Sequence, residues 1–577
     1  MKSKRLSILF TTLLLISVAA VAQQSALEPS VEKLQQHISY LASDALDGRR
    51  TGTAGANDAA RYIAGEFSRS GLMPGVGKPE RKPRAIIASY LQTFPYVGRV
   101  ELGKNNVLSL RDGESFRVGE DWMPLGISAN QTLNLTGVVN AGYGITANEL
   151  NHNDYKGTYS KTQVAVIRTG TPDGDNPHGR FTTAGQLRFK VAAAQSAGVG
   201  ALLIISDEDD LKNEPLASLR YDNAGLAGIP VAIISKQAAE KLANAKDVTL
   251  TTDVVRAEVP AYNVIGVLEG SDPILKKENI IIGAHYDHLG RGGEGSLASK
   301  PGEIHHGADD NASGTAGLIE LARLFSVQRP KLKRTLIFIA FGGEEEGLLG
   351  SNYYVNHPFA PLTNTVGMIN MDMIGRMKDR KLIIGGVGTA KGWRDLIAPE
   401  KSFELTLNED GFGPSDHSSF YGKQVPVLFF WTGTHNDYHK PSDTWDKINY
   451  NDEAKILSFV ARIIRDIDGA DKRLTYTTAR SDSAPRTSGF RVYLGTIPNY
   501  ADTTDGLLLD GVRDDSPAAK AGLKAGDRIV KIGNRDVKNV YDYTYALGEM
   551  KAGQEYVFEV MRGSEKLTLK VIPEARK

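Results

Sequence analysis

Five separated segments carry histidine, aspartate and glutamate in patterns suited to holding a divalent cation. They read His285-Tyr286-Asp287-His288, Gly307-Ala308-Asp309-Asp310-Asn311-Ala312-Ser313-Gly314, Glu344-Glu345-Glu346-Gly347-Leu348, Asn370-Met371-Asp372 and Tyr438-His439-Lys440-Pro441. The chain has no cysteine, so no thiolate can bind metal and no disulfide can form. His285, Asp309, Glu345, Asp372 and His439 together offer imidazole and carboxylate donors, a set that suits zinc and admits cobalt or manganese. If Asp309 is shared, two cations each have three protein ligands and one position for water, the open arrangement of a catalytic rather than a structural site. A shared carboxylate also offsets the repulsion between neighbouring cations. The expected cofactor is two Zn2+ per chain.

Each pattern alone has an ordinary reading. Asp310, Asn311 or Ser313 suits a helix cap, three glutamates suit a solvated turn, and His439 suits an exposed loop. Asp372 is harder to dismiss, because its neighbours are apolar and a lone buried carboxylate costs several kcal/mol unless neutralised, in the range of about 2–7 kcal/mol for a polar group and more for a charge. Adjacent residues project differently, so one glutamate can ligate while its neighbour takes a proton from water. Gly347-Leu348 favours Glu344 as that base and Glu345 as the ligand. Asp287 shares its strand face with His285 and suits an acceptor that orients the imidazole. His288, His305, His306, His417 and His435 are competitors for auxiliary roles.

The elements that must position these groups are legible as apolar runs. Residues 280–284, 335–341, 366–371 and 425–431 read as short buried strands, with amphipathic helices at 312–327 and 452–467. Residues 31–72 read as helix, loop, helix, with the loop at 44–55. Strands alternating with helices imply an α/β fold with a mainly parallel core in a mixed sheet flanked by helices. His285 then emerges at a strand's C-terminal end, where ligands collect in such sheets.

At 577 residues the chain exceeds one ordinary core. Strand-like runs at 163–168, 200–206 and 229–234 around a helix at 189–198 read as a β-rich module inserted over 136–255. It divides the main domain into 23–135 and 256–470. Residues 471–488 read as a polar linker to a separate domain at 489–577. The 68 basic and 68 acidic residues balance, which gives no argument for nucleic acid or an anionic membrane as partner. Lys2, Lys4 and Arg5 precede the apolar run 6–20, and Ala20-Val21-Ala22 suits cleavage, so residues 1–22 read as a signal peptide. The run is shorter than the roughly 20 residues of a spanning helix, so no stable membrane anchor is expected. The expected location is periplasmic or extracellular.

These motifs, in this order, resemble the co-catalytic di-zinc aminopeptidase family that also includes glutamate carboxypeptidases and glutaminyl cyclases. The resemblance extends to Leu41-Ala42-Ser43-Asp44 and Gly48-Arg49-Arg50-Thr51-Gly52. It implies that His285, Asp309 and Asp372 hold one zinc and Asp309, Glu345 and His439 the other. It further implies Glu344 as general base, Asp287 as the histidine orienter, and a cis peptide between Asp309 and Asp310. Ser415-Asp416-His417 is a segment such proteins often carry. The insert resembles the protease-associated domain through Ala141-Gly142-Tyr143-Gly144, Asp154-Tyr155 and residues 190–206. The C-terminal part resembles a PDZ domain through Tyr493-Leu494-Gly495-Thr496, Ser516-Pro517-Ala518 and Gly522-Leu523-Lys524-Ala525-Gly526-Asp527.

The resemblance implies a metallo-aminopeptidase that hydrolyses the amino-terminal bond of peptide substrates, with an extended peptide or protein C-terminus as a further partner at the PDZ-like domain. A carboxypeptidase or dipeptidase on the same scaffold needs a basic group for the substrate carboxylate, and the sequence does not place one. A cyclase fits less well with a full pair of metal sites. A peptide-binding protein on an inactive scaffold fits less well with an intact Glu344.

Overall fold

The computed structural model describes residues 28–575 apart from 78–82, 148–149, 175–179, 182–183, 213, 224, 244, 294, 299, 301, 480–491, 499–505, 513–515, 539–541, 544–545 and 548–549. The expected signal peptide lies outside the described residues. The chain divides into two compact units, one from residues up to 95 with 260–483, the other from 96–259 with 484–577. No described helix is long and apolar enough to cross a membrane.

In the first unit, helices α1 (Val31–Leu41) and α2 (Ala54–Arg69) flank the turn Asp44–Arg49. Strand β1 (Val254–Leu268) brings the chain back into this unit. It is followed by β2 (Asn279–His285), α3 (Gly314–Ser326), β3 (Thr335–Phe341), α4 (Leu349–Asn356) and β4 (Thr365–Met371). The unit closes with β5 (Lys381–Gly385), β6 (Glu404–Leu407), β7 (Val427–Trp431) and α5 (Tyr450–Gly469). The sheet order is Met73–Pro74, β1, β3, β2, β4, β7, β5, β6. Strands β3, β2, β4 and β7 are parallel neighbours, while β1 and β5 join them antiparallel.

All seven residues of β2, of β3 and of β4 are buried, which is why they read as continuous apolar runs rather than alternating ones. Ile282 sits at the centre, in register with Phe338 on β3 and Ile369 on β4. Helix α5 starts where the Asn449 side chain accepts from the Asp452 backbone N–H, and buries Ile456, Val460, Ile463, Ile464 and Ile467 along one face. The parallel register has one consequence for chemistry: His285, Glu344 and Asp372 all emerge at the same sheet edge.

In the second unit the insert holds a five-stranded sheet in the order Trp122–Pro124, Val231–Ile234, Ala201–Ile205, Val164–Arg168, Val138–Asn140. A three-stranded sheet joins Val107–Leu110 and Gln131–Leu135 to Val248–Thr252. Strands at 107–110, 122–124 and 131–135, ahead of the expected start at 136, are edge partners in these sheets. The C-terminal residues form their own sheet over Thr496–Pro498, Leu507–Val512, Asp527–Ile532, Tyr556–Arg562 and Glu565–Val571, with a core that includes Leu509, Ile529 and Phe558. Of the expected linker, Thr475–Tyr476 pairs with Ala390–Lys391 in the first unit, and 480–488 lies outside the described residues.

Ile282→Ala removes a fully buried side chain from the centre of the parallel strands. It is expected to destabilise the first unit by about 2–5 kcal/mol, read as a lower urea midpoint.

Candidate metal centre

Five segments converge at the C-terminal edge of β2, β3 and β4. His285 ends β2, Glu344 and Glu345 follow β3 across Gly342-Gly343, and Asp372 follows β4. Asp310 lies in the turn before α3, and His439 lies in the loop between β7 and α5. His285 Nε2 is 3.5 Å from Asp310 Oδ1, 3.3 Å from Asp372 Oδ1 and 4.0 Å from Glu344 Oε2. His439 Nε2 is 3.2 Å from Asp310 Oδ2 and 3.4 Å from Glu345 Oε2. Candidate ligand atoms of His285, Asp310 and Asp372 lie within 4.8 Å of one another, as do those of His288, Asp310 and Glu345.

The carboxylate between the two histidines thus belongs to Asp310, not to Asp309 as expected. Asp309 faces away, its Oδ1 accepting from the Gly375 N–H at 2.7 Å and the Ser313 hydroxyl at 3.1 Å. Its Oδ2 lies 3.2 Å from His435 Nε2, and His435 Nδ1 accepts from the Asp437 N–H. Asp309 therefore ties the turn before α3 to the loop that carries His439. The cis peptide bond likewise lies one residue on, between Asp310 and Asn311. Asp443 Oδ2 accepts from the backbone N–H groups of both Asp309 and Asp310, which sets the direction in which each side chain leaves the turn.

Asp287 departs from expectation in a second way. Its carboxylate is 3.8 Å from His285 Nδ1, beyond hydrogen-bond length, and the nearer group is its own carbonyl oxygen at 3.3 Å. The carboxylate instead accepts from the Thr51 hydroxyl at 2.9 Å and from the Glu344 and Glu345 N–H groups at 3.2 and 3.4 Å. It orients the glutamate turn. His439 Nδ1 bonds the Gly295 carbonyl at 2.7 Å, and the Tyr438 ring stacks on its imidazole. Ser415 acquires a task here: it donates to Asp372 Oδ2 at 2.8 Å while accepting from Asn370.

Of the competing histidines, His306 bonds Asp44 and the Pro441 carbonyl, His305 bonds Ser296, and His417 stacks on Phe429. His288 alone among these five joins a candidate metal group, through Glu345. Arg49 is fully buried and donates to the carbonyls of Leu41, Tyr286, His306 and Gly307, locking the entry segment to the site.

A family model described as peptidase family M28 matches residues 263–464, which contain every one of these converging side chains. This part of the chain belongs to peptidase family M28. A second model, described as a PDZ domain, matches residues 495–572. Aminopeptidase YwaD of Bacillus subtilis is 30% identical over 274 residues, 45% of this chain and 55% of that protein. Leupeptin-inactivating enzyme 1 of Streptomyces exfoliatus is 31% identical over 182 residues, 31% of this chain and 37% of that protein. The chain spans less than two thirds of the length of either relative. The solved structure of BSAP, a zinc aminopeptidase from Bacillus subtilis, is 23% identical, covering 79% of this chain and 99% of that one with a TM-score of 0.48.

The donor set of the M28 domain fits a cation electrostatically. Burial raises Glu344 well above an ordinary carboxylate and pushes Glu345 up to about 7, against the pull of His285 and His439 respectively. Asp310 is raised by burial and by Glu345, whereas Asp372 is lowered because His285 and Ser415 outweigh its burial. Burial lowers His285, but Asp372 and Glu344 carry it well above an ordinary imidazole. Burial likewise opposes a rise in His439, which Asp310 and Glu345 nonetheless take up to about 9. Without a cation, burial favours protons on Glu344, Glu345 and Asp310. A bound cation displaces them.

Glu345 and His439 are protonated below about 7 and about 9, and a cation needs both free. Zinc affinity of the metal-free protein should therefore climb from pH 6 to pH 9. Calorimetric titration in buffers of different ionisation enthalpy measures the released protons, and a pH-independent affinity would contradict this account.

Proposed function

We propose that the chain is a zinc-dependent aminopeptidase that hydrolyses the amino-terminal residue from peptides at a site for two cations. The observation that carries this reading is Asp310, whose two carboxylate oxygens face His285 on one side and His439 on the other. His285, Asp310 and Asp372 would hold one zinc, and Asp310, Glu345 and His439 the other. Zinc bound there supplies Lewis acidity, which makes water more acidic and polarises a scissile carbonyl.

The chain's own residues supply the proton chemistry and the alignment. Glu344 is buried, with a raised affinity for a proton, and lies beside His285. In the proposed reaction it takes a proton from the attacking water and returns it to the leaving amine nitrogen. Its backbone is fixed by Asp287, and Asp372 is fixed by Ser415, so base and ligands are held in place before substrate arrives. Arg49 is engaged with four carbonyls and Arg376 bonds Asp437, so neither stands ready as a partner for a substrate carboxylate. That favours an aminopeptidase over a carboxypeptidase.

The accessory parts extend the proposal. The PDZ domain suits an extended peptide or protein C-terminus, the insert is proposed as a protease-associated domain, and residues 1–22 are proposed to direct export to the periplasm or the exterior.

Glu344→Gln should keep two zinc ions per chain and lose about 100- to 10,000-fold in kcat on an aminoacyl chromogenic substrate. Hydrolysis at the parental rate would rule Glu344 out as the base. Free and carboxyl-blocked peptides should both be cleaved and amino-blocked ones spared. The reverse pattern would favour a carboxypeptidase.

A further inference from the structure

The proposed reaction leaves His288 without a task, although its side chain is fully enclosed beside the site. Its Nδ1 is 2.7 Å from Glu345 Oε1. As a metal ligand Glu345 is ionised and only accepts, so a neutral His288 imidazole would donate to it through Nδ1–H and leave Nε2 without a proton. Consistent with this, His288 Nε2 is buried and has no hydrogen-bond partner among the described residues. The other oxygen of the same carboxylate, Glu345 Oε2, is the one facing His439.

The ring's position is itself tightly constrained. The His288 N–H donates to the Arg49 carbonyl at 3.2 Å, and the Arg49 guanidinium in turn donates to the Gly307 carbonyl at 2.9 Å. Gly307 has φ +56°, and a Cβ there would lie 2.5 Å from His288 Cδ2 and 2.2 Å from the Asp310 carbonyl oxygen. A glycine at 307 thus serves two ends: it turns the chain toward Asp310, and it leaves room for the imidazole.

We propose that His288 is a positioning residue that pins Glu345 Oε1, so that Oε2 stays aimed at the cation shared with Asp310 and His439. This rests on the two-cation reading above. The cation at His285, Asp310 and Asp372 does not use Glu345, so the effect is confined to one of the two ions.

The test is zinc bound per chain, measured by equilibrium dialysis of the full-length protein across a range of free zinc. The parent should bind two ions. His288→Ala should lose roughly 10- to 100-fold in affinity for one ion and keep the other. His288→Asn, whose amide N–H stands close to the Nδ1 position, should restore most of that affinity, whereas His288→Gln, with its amide nearer the Nε2 position, should not. The Asn and Gln variants carry the comparison if the alanine variant does not fold. A parent that binds two ions together with a His288→Ala that binds both unchanged overturns this inference alone, as does an Asn variant no better than Gln. A parent that binds one ion or none overturns the two-cation reading and this inference with it.

Discussion

Four carboxylates, those of Asp310, Glu344, Glu345 and Asp372, are buried side by side at one edge of a parallel sheet, and the surrounding structure answers that crowding of negative charge. Each would repel its neighbours strongly in an environment with little water. The fold meets this in three ways. His285 and His439 stand between the acids, the Ser415 hydroxyl and the His288 ring reach one oxygen each of Asp372 and Glu345, and other oxygens converge on spaces suited to divalent cations.

Around the acids lies a layer of groups that only hold position. Asp287 braces the glutamate turn, Asp309 and Asp443 brace the turn that bears Asp310, and Ser415 braces Asp372. Arg49 adds a fully buried guanidinium bonded to backbone carbonyls beside this layer. Burial lowers its affinity for a proton to about 10, still far above neutrality, so it remains a cation whose charge is felt by Asp287, Asp310, Asp443 and Glu345. Because its N–H groups go to carbonyl oxygens rather than to carboxylates, it ties backbone segments together while leaving the acids open to metal.

Much of this was legible beforehand. Strands β2, β3 and β4 are buried on both faces, so their residues form unbroken apolar runs that no exposed element would tolerate. A segment that ends such a run in histidine or aspartate places that group at the sheet edge in almost any parallel arrangement. His285, which ends β2, and Asp372, which directly follows β4, fit that logic, whereas Glu345 and His439 lie in loops beyond their strands. The start of the insert was less visible, because strands such as Gln131–Leu135 alternate weakly and take their identity from partners more than 100 residues away, at Val248–Thr252.

What the sequence alone determined is the chemistry available: no thiols, five acid and imidazole segments, and apolar strands to carry them to one edge. What only the tertiary structure decided is which neighbour does which task. Asp309 and Asp310 are chemically identical and adjacent, and nothing local separates them. The choice falls to Gly375 and His435, which arrive from distant parts of the chain and capture the Asp309 carboxylate, leaving Asp310 to face the histidines. Asp287 was likewise drawn from the imidazole to the glutamate turn because Thr51 and two N–H groups meet its oxygens there. Side-chain direction in a turn is set by whichever donors the rest of the fold brings within reach, and that information is not local.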